Sequence, residues 1–504
     1  MKRLNLDKKW LPITIWGTFL LISTILLYSA GPYNFCYIEQ WQTFIFDSSY
    51  INHIGATPGG IANLIAHFLI QFFRFPITGI LITALLLSVI FILNVHIFRQ
   101  WTNTDYHLVP LALMPTIALA LLHFNTNYLY AGSLSFVLMM FSIFLQNRIT
   151  HFRFRFVFSF ITCILLFFMA GPIAMLYSML LLIMEGSRSV KKAGIYLLYP
   201  LLVILLGYYS LRMGWTGEWK HIIGPDGYFT HRLPAGSIVY LPWGMTICTF
   251  IIAYLFRRFR PQKHSAVRTA ILLQVLVASA FLYLGSKQCV SKDNEFFKEL
   301  NYLARNNRWE DIIKRYQEQG RSNVLYHNYL NLALAEQGKL PTDRKAYPAG
   351  TQSLFLAGNK TPYISAMLSD IYFSMGHISF AQRYAFEANE SSGNFSPKLL
   401  QRLVQTSLIY GNDELALKYI QLLEKTLFYK DWATQHRQYL NSPQRLAEDA
   451  TLSNLKRCIF PDNRFAGSKG LDDDLKQILD QNPGHKPAKQ YLNAIQAIIG
   501  TINQ

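Results

Sequence analysis

The chain has 504 residues, of which 51% are hydrophobic and 15% are charged, and its formal net charge is +18. This composition excludes a wholly soluble globular protein, because so few charges among so many apolar residues indicate segments within a lipid bilayer. Nor does the charge indicate a nucleic-acid partner, because most of the excess cations lie beside predicted membrane spans.

The acidic residues divide the chain into two parts. Residues 1–285 contain seven of the 29 acids, and residues 286–504 contain the other 22. We therefore predict a multi-pass membrane domain over 1–285 and a soluble domain over 286–504. Both parts have apolar patterns typical of helices, so the predicted fold class is all-α.

The first predicted span is Trp10–Ser29, which follows four cations near the amino terminus. Two interpretations are open, an uncleaved anchor and a cleaved signal peptide. A cut after Ala30 would place Tyr28 where signal peptidases require a small residue, which favours the anchor.

The segment 31–76 is predicted to be a long outer loop. Its two acids, Glu39 and Asp47, stand eight positions apart and would share one face if the segment is helical. Further along, Gly59-Gly60 indicates a turn, and Ile61–Phe73 indicates an amphipathic helix lying on the membrane surface. This helix is too short to cross a bilayer.

Eight further apolar segments follow the loop, which makes nine predicted spans. They cover residues 77–98, 109–124, 130–147, 157–170, 173–185, 193–211, 237–255 and 269–285. With the amino terminus in the cytoplasm, sixteen cations flank these spans on the cytoplasmic side and four on the outer side, as the positive-inside rule requires. We therefore predict an inner-membrane protein whose carboxy-terminal domain is periplasmic.

The soluble part contains two aligned helical segments, in which Gly376 and Gly411 lie 35 positions apart, as do Ala381 and Ala416. This interval is close to the period of a helix-turn-helix solenoid. The residues Tyr372, Gly376, Ala381, Tyr384 and Ala388 resemble the tetratricopeptide (TPR) pattern over about 293–426. An insertion between Pro341 and Thr361 departs from the family's period. The resemblance implies a surface that binds a protein partner or simply packs against a neighbouring domain.

The order of elements in 1–285 resembles the multi-pass glycosyltransferases of the GT-C fold. The resemblance implies that Glu39 is the catalytic base, with Asp47 as the lesser candidate, and that the donor is a polyprenyl-phosphate-linked sugar. The chain lacks the adjacent pair of acids found in many members, since the motif reads IEQW. The stretch from Pro58 to Phe73 also resembles part of a bacterial multi-pass membrane family that has no assigned activity.

Other polar residues predicted to face outward complete the candidate site. His123 and Asn125 follow the third span, and Lys220, His221 and Arg232 lie in the loop 212–236. A lysine or arginine here would suit a phosphate group, because a guanidinium donates two parallel hydrogen bonds to it. Each residue taken alone has a simpler interpretation as a solvated loop residue.

Two functions remain open after these observations. One is a transferase that uses a lipid-linked sugar, and the other is a non-catalytic scaffold whose TPR-like domain binds envelope proteins. Ion-coupled transport is disfavoured because the middle of the predicted spans holds no ionisable residue. The five cysteines show no short paired spacing, so no metal cluster is predicted. At most one disulfide could form among Cys36, Cys289 and Cys458, and the sequence does not say between which two. No cofactor is indicated.

Overall fold

The computed structural model describes residues 11–102, 106–230, 236–256, 264–320, 323–358, 361–460, 467 and 470–500. Over these ranges the regular structure is helical, apart from one isolated bridge between Tyr128 and Phe229. The chain therefore has the predicted all-α class. It forms two compact units, the first made of Met1–Phe35 and Ser48–Lys292, and the second of Cys36–Asp47 and Asp293–Gln504.

The first unit is a bundle of apolar helices. They are α1 (Leu11–Ala30), α2 (Asn34–Glu39, which continues into the second unit), α3 (Ser48–Gly55), α4 (Gly60–Ile70), α5 (Pro76–Thr102), α6 (Leu113–Leu122), α7 (Ala131–Arg148), α8 (Phe152–Ala170), α9 (Ile173–Arg188), α10 (Val190–Ala193), α11 (Leu198–Arg212), α12 (Trp219–Ile223), α13 (Leu241–Phe256) and α14 (His264–Cys289).

Six helical segments of this unit are long and apolar enough to cross a membrane. They are Ile13–Ala30, Pro76–Thr102, Phe152–Ala170, Val190–Arg212, Ser237–Phe256 and Ser265–Cys289. The chain is therefore compatible with a multi-pass membrane protein. Each of the nine predicted spans coincides with a helix, but α6, α7 and α9 are not among these six. The count of nine spans stays a prediction.

The helix α9 lies at the centre of the bundle. It packs against α7, α8, α11 and α13, and its side chains from Ile173 to Leu181 are nearly all buried. An enclosed helix contacts protein rather than lipid along most of its length. Its 16 residues would therefore not need the apolar length of a helix that faces lipid.

The predicted turn before α4 is also a close backbone crossing. Gly59 has a φ of 83°, a conformation that favours glycine, and its amide donates to the carbonyl of Phe168 at 2.9 Å. At Gly60 an added Cβ would lie 2.5 Å from the carbonyl oxygen of Ile54 and 2.6 Å from that of Gly55. The contacts are with backbone atoms, which cannot rotate away as a flexible side chain does.

We therefore expect Gly60→Ala to destabilise the first unit by about 1–3 kcal/mol or more, the usual cost of forced overpacking. The measurement is the thermal midpoint of the full-length protein in detergent. Gly17→Ala is the matched control, because a Cβ at Gly17 meets nothing within 4 Å. Equal midpoints for the two variants would show that the crossing at Gly60 is not tight.

The second unit is a series of shorter helices. They are α15 (Lys292–Arg305), α16 (Trp309–Gln319), α17 (Val324–Glu336), α18 (Pro362–Ser374), α19 (Ile378–Ser392), α20 (Pro397–Tyr410), α21 (Asp413–Glu424), α22 (Lys430–Arg437), α23 (Pro443–Glu448), α24 (Ala450–Lys456), α25 (Leu471–Gln481) and α26 (Lys486–Gly500). Consecutive helices from α18 to α22 pack against one another, and α26 returns to pack against α17.

The 35-residue period is visible in the ends of these helices. Gly376 follows α18 and Gly411 follows α20, with φ of 77° and 73°, so both supply the left-handed residue that ends a helix. Asn307 and Gly338 do the same after α15 and α17. Both glycines thus act through backbone conformation, and Gly376 also through close packing, since an added Cβ there would lie 3.0 Å from Cys458 Sγ. The buried alanines Ala381 and Ala416 begin the second helix of each pair.

Candidate functional site

Residues 36–47, which we call the loop segment, belong to the second unit. The helix α2 ends at Glu39, a turn follows at Gln40 and Trp41, and residues 42–47 have no regular helix. The segment from Glu39 to Asp47 is therefore not helical, and the condition under which the two acids would share one helical face is not met. Each acid instead contacts a different cation of the second unit.

Both carboxylate oxygens of Glu39 have partners. Oε2 lies 2.7 Å from a terminal nitrogen of Arg305, and Oε1 accepts a hydrogen bond from the hydroxyl of Tyr429. The other terminal nitrogen of Arg305 donates to the same hydroxyl at 2.5 Å. The side chain of Glu39 has 0% exposure and that of Arg305 has 17%. The three side chains form a closed, buried ring of hydrogen bonds.

Burial and charge act in opposite directions on this ring. Burial by itself would lower the pKa of Arg305, but the Glu39 carboxylate outweighs it and raises that pKa above its ordinary value. Burial, followed by the Glu39 charge, raises the pKa of the nearby Cys36 thiol to about 12. At neutral pH Arg305 is therefore a cation and Cys36 is a neutral thiol, which is a poor nucleophile.

Main-chain hydrogen bonds hold the rest of the loop segment. Ser396, the N-cap of α20, donates its hydroxyl to the carbonyl of Gln40 at 2.6 Å. The amide of Thr43 donates to Phe395 at 3.1 Å, and the amide of Phe46 donates to Lys425 at 2.7 Å. These bonds lie at successive points along the segment, so the second unit binds it as an extended peptide.

Side chains of the loop segment add to these contacts. The ring of Tyr37 lies 6.0 Å from that of Phe297 on α15, and Trp41 packs on the core formed by α19, α20 and α21. Asp47 pairs with Lys425 at 2.5 Å, but this pair is more exposed, at 23% and 47%. The buried contacts are thus concentrated around Tyr37, Glu39 and Trp41.

His123 and Asn125 lie in the first unit, in the turn between α6 and α7. His123 is buried, with Nε2 2.9 Å from the hydroxyl of Ser133, and its carbonyl accepts from Asn34 at 2.5 Å. The side-chain oxygen of Asn125 accepts from the amide of Asn127 at 3.0 Å and shapes the turn.

Lys220 and His221 lie on α12. Lys220 pairs with Glu218 at 3.0 Å, both side chains being 56% exposed, and His221 is half-buried. Arg232 lies outside the described residues. The turn after α6 and the chain after α12 are joined by main-chain bonds from Leu129 to Tyr228 and from Thr230 to Asn127, each 2.9 Å. The turn after α6 and the chain after α12 are thus neighbours in the fold.

A small cavity lies next to this junction. It measures about 10 Å³ and is lined by Leu122, Tyr128, Phe136, Pro225, Tyr228, Val239, Pro242 and Trp243. This volume has room for about one water molecule, not for a sugar or a lipid headgroup. Among the described residues, no group of three or more His, Cys, Asp or Glu side chains is placed to hold a metal ion. None of the five cysteines, all of which lie within the described residues, forms a disulfide.

These features define a class of protein: an all-α chain with an apolar multi-helix unit and a second helical unit that includes part of the first loop. The chain belongs to the family of unknown function DUF6057, whose profile matches residues 8–496. No curated protein and no solved structure matches the chain. The family's description assigns it no function.

Proposed function

We propose that the protein is a multi-pass inner-membrane scaffold whose TPR-like second unit lies in the periplasm and binds envelope proteins. The observation that carries this proposal is that the Glu39 side chain is 0% exposed and that Arg305 and Tyr429 each bind one of its two oxygens. An acid held in this way stabilises a fold. The same acid is the strongest catalytic candidate in the sequence.

A general base must come within hydrogen-bond reach of the proton that it removes. Glu39 would have to leave Arg305 before any substrate could approach it, and Arg305 would then be left without its carboxylate partner. Separating a buried pair of this kind costs several kcal/mol. The GT-C-like transfer from a polyprenyl-phosphate-linked sugar therefore requires a rearrangement that the scaffold does not need.

The two stretches of chain that make up the second unit also support the predicted topology of nine spans. Residues 36–47 and 293–504 fold together, so both stretches must lie on one side of the membrane. The chain between them must then cross the membrane an even number of times. Five of the six long apolar segments lie in this interval, which would place the two stretches on opposite sides.

For an even total, an odd number of the shorter helices α6, α7 and α9 must also cross the membrane. The alternative is that one of the five long segments does not cross it. If α6, α7 and α9 all cross, the interval has eight crossings, and α1 brings the total to the nine predicted from the sequence. The arrangement of cations, sixteen on one side and four on the other, then favours a cytoplasmic amino terminus and a periplasmic second unit.

A charge exchange between Glu39 and Arg305 separates the two functions. Glu39→Arg and Arg305→Glu are each expected to reduce the protein level, because each places two like charges together in a buried site. The double variant restores opposite charges, so we expect it to recover much of the protein level. The exchange Arg383→Glu with Glu387→Arg, a pair on α19 whose side chains are 63% and 26% exposed, is the matched control and is expected to change little.

The functional readout is mass spectrometry of envelope glycans and lipid-linked sugars in a strain that lacks the native gene. A scaffold predicts that the double variant corrects any defect of the deletion strain in proportion to its protein level. A transferase predicts that the double variant accumulates but leaves the glycan defect uncorrected, because an arginine at position 39 cannot act as the base. The second outcome would overturn the scaffold proposal.

A further inference from the structure

A buried ion cluster organises the ends of α7, α8 and α9 in the first unit. The Arg155 guanidinium binds both oxygens of Glu185, at 2.6 Å and 2.9 Å. Its remaining terminal nitrogen donates to the carbonyls of Ile149 and Thr150, each at 3.0 Å. Arg155 therefore fixes the turn between α7 and α8 against the end of α9.

Arg188 completes this cluster. One of its terminal nitrogens lies 2.5 Å from Glu185, and the other donates to the side chain of Asn147 at 2.5 Å. The single carboxylate is thus shared by two arginines and is only 1% exposed. Its negative charge is already matched inside the cluster, so it does not offset cations on the surrounding surface.

The surrounding surface is strongly basic. Residues 147–198 contain six Lys and Arg and one acid, Glu185, which gives this stretch a net charge of +5. Arg153, Lys191 and Lys192 are exposed, and we call these three residues the basic patch. Lys192 Nζ lies 4.8 Å from the ring centre of Phe152, which brings α10 beside the start of α8.

Large apolar side chains are exposed next to the basic patch. The exposed fractions are 70% for Phe154, 80% for Val190 and 62% for Leu197. Two long apolar segments, Phe152–Ala170 and Val190–Arg212, both begin here, so this surface lies where a bilayer's headgroups meet its hydrocarbon. Cations beside exposed apolar residues match a ligand with a negatively charged head and hydrocarbon chains.

We propose that the basic patch binds the phosphate of an anionic phospholipid, whose acyl chains lie along Phe154, Val190 and Leu197. Guanidinium and ammonium groups bind a phosphate through charge-assisted hydrogen bonds, and the adjacent apolar side chains contact the chains. A zwitterionic lipid would bind more weakly, because the cation of its own headgroup is repelled by the basic patch. This site is independent of the scaffold function, since it depends on the first unit alone.

The test uses the full-length protein in nanodiscs of phosphatidylcholine containing one tenth phosphatidylglycerol. After transfer to detergent, native mass spectrometry counts the phosphatidylglycerol molecules that remain bound. The triple variant Arg153→Gln, Lys191→Gln and Lys192→Gln is expected to lower the affinity roughly fivefold per cation, and thus about a hundredfold in total. The control Arg212→Gln with Lys220→Gln, on the predicted outer side, is expected to retain the lipid.

A second variant, Val190→Asp, places a carboxylate beside the patch and is expected to lose the lipid while keeping the thermal midpoint, because Val190 is 80% exposed. Retention of phosphatidylglycerol by both folded variants would overturn the proposal. Displacement of the lipid by millimolar inorganic phosphate would also overturn it, since the ligand would then be a free anion. If phosphatidylcholine and phosphatidylglycerol remained bound in the same ratio as in the nanodisc, the site would not recognise the lipid's charge, which would also overturn the proposal.

Discussion

Replacing Arg305 by alanine is expected to destabilise the second unit by about 3–5 kcal/mol, the usual cost of removing one partner from a buried ion pair. The substitution leaves the Glu39 carboxylate at 0% exposure without a cation and with Tyr429 as its remaining donor. The measurement is the thermal midpoint of the full-length protein, together with hydrogen exchange over residues 36–47. Exchange in this segment should rise as its contacts weaken.

Arg383→Ala provides the matched control for this prediction. Arg383 is 63% exposed and pairs with Glu387 one helical turn away, so its loss is expected to cost less than about 1 kcal/mol. Adding Glu39→Gln to Arg305→Ala should recover part of the lost stability, because it removes the unpaired buried charge. If Arg305→Ala and Arg383→Ala behaved alike, the Glu39 ring would not hold the loop segment.

Replacing Glu185 by alanine is expected to have a comparable effect on the first unit. Arg155, whose side chain is 8% exposed, would lose both of its carboxylate contacts, and Arg188 would lose one. Two neighbouring guanidinium groups without an anion repel each other in a site with little access to water. We expect a loss of several kcal/mol, measured as the thermal midpoint in detergent.

Glu218→Ala is the control for that experiment. Glu218 is also an acid paired with a cation of the first unit, Lys220, but both side chains are 56% exposed. Exposed pairs of this kind contribute about 0–1 kcal/mol. A Glu185 variant as stable as the Glu218 variant would mean that the cluster does not fix the ends of α7, α8 and α9.

The helical architecture could be predicted because its signals are local. A run of apolar residues as long as α5 or α14 determines a helix by its own length and composition, whatever the rest of the chain does. The predicted helix over Ile61–Phe73 is confirmed as far as Ile70, where α4 ends, and α4 starts at Gly60, directly after a glycine with positive φ. Element boundaries set by glycine are readable from the sequence.

The partners of Glu39 could not be predicted in this way. Arg305 lies 266 positions away in the chain, and no local pattern links the two. The end of α2 at Glu39 also escaped prediction, because neither glycine nor proline follows it. The chain turns at Gln40, where its carbonyl is bound by Ser396 of the second unit, a tertiary contact that overrides local propensity.

The polar residues of the first unit show a different limit. His123 was predicted to lie on the outer side of the membrane, with a solvated loop residue as the simpler interpretation. It is not solvated but buried, since Ser133 and Asn34 satisfy its polar atoms within the fold. Composition indicates that such a residue is near the end of a helix, but it does not indicate whether neighbouring side chains will cover it.

The central claim is that residues 36–47 and 293–504 form one folded unit, and the most direct test is their exposure to a membrane-impermeant thiol reagent. In a background without the five native cysteines, single cysteines are placed at Phe46, which is 50% exposed, and at Gln444 on α23. Thr150→Cys, an exposed position in the turn between α7 and α8 on the predicted cytoplasmic side, is the control. We expect positions 46 and 444 to react from the same side of intact membrane vesicles and position 150 from the other. Reaction of positions 46 and 444 from opposite sides would contradict the account.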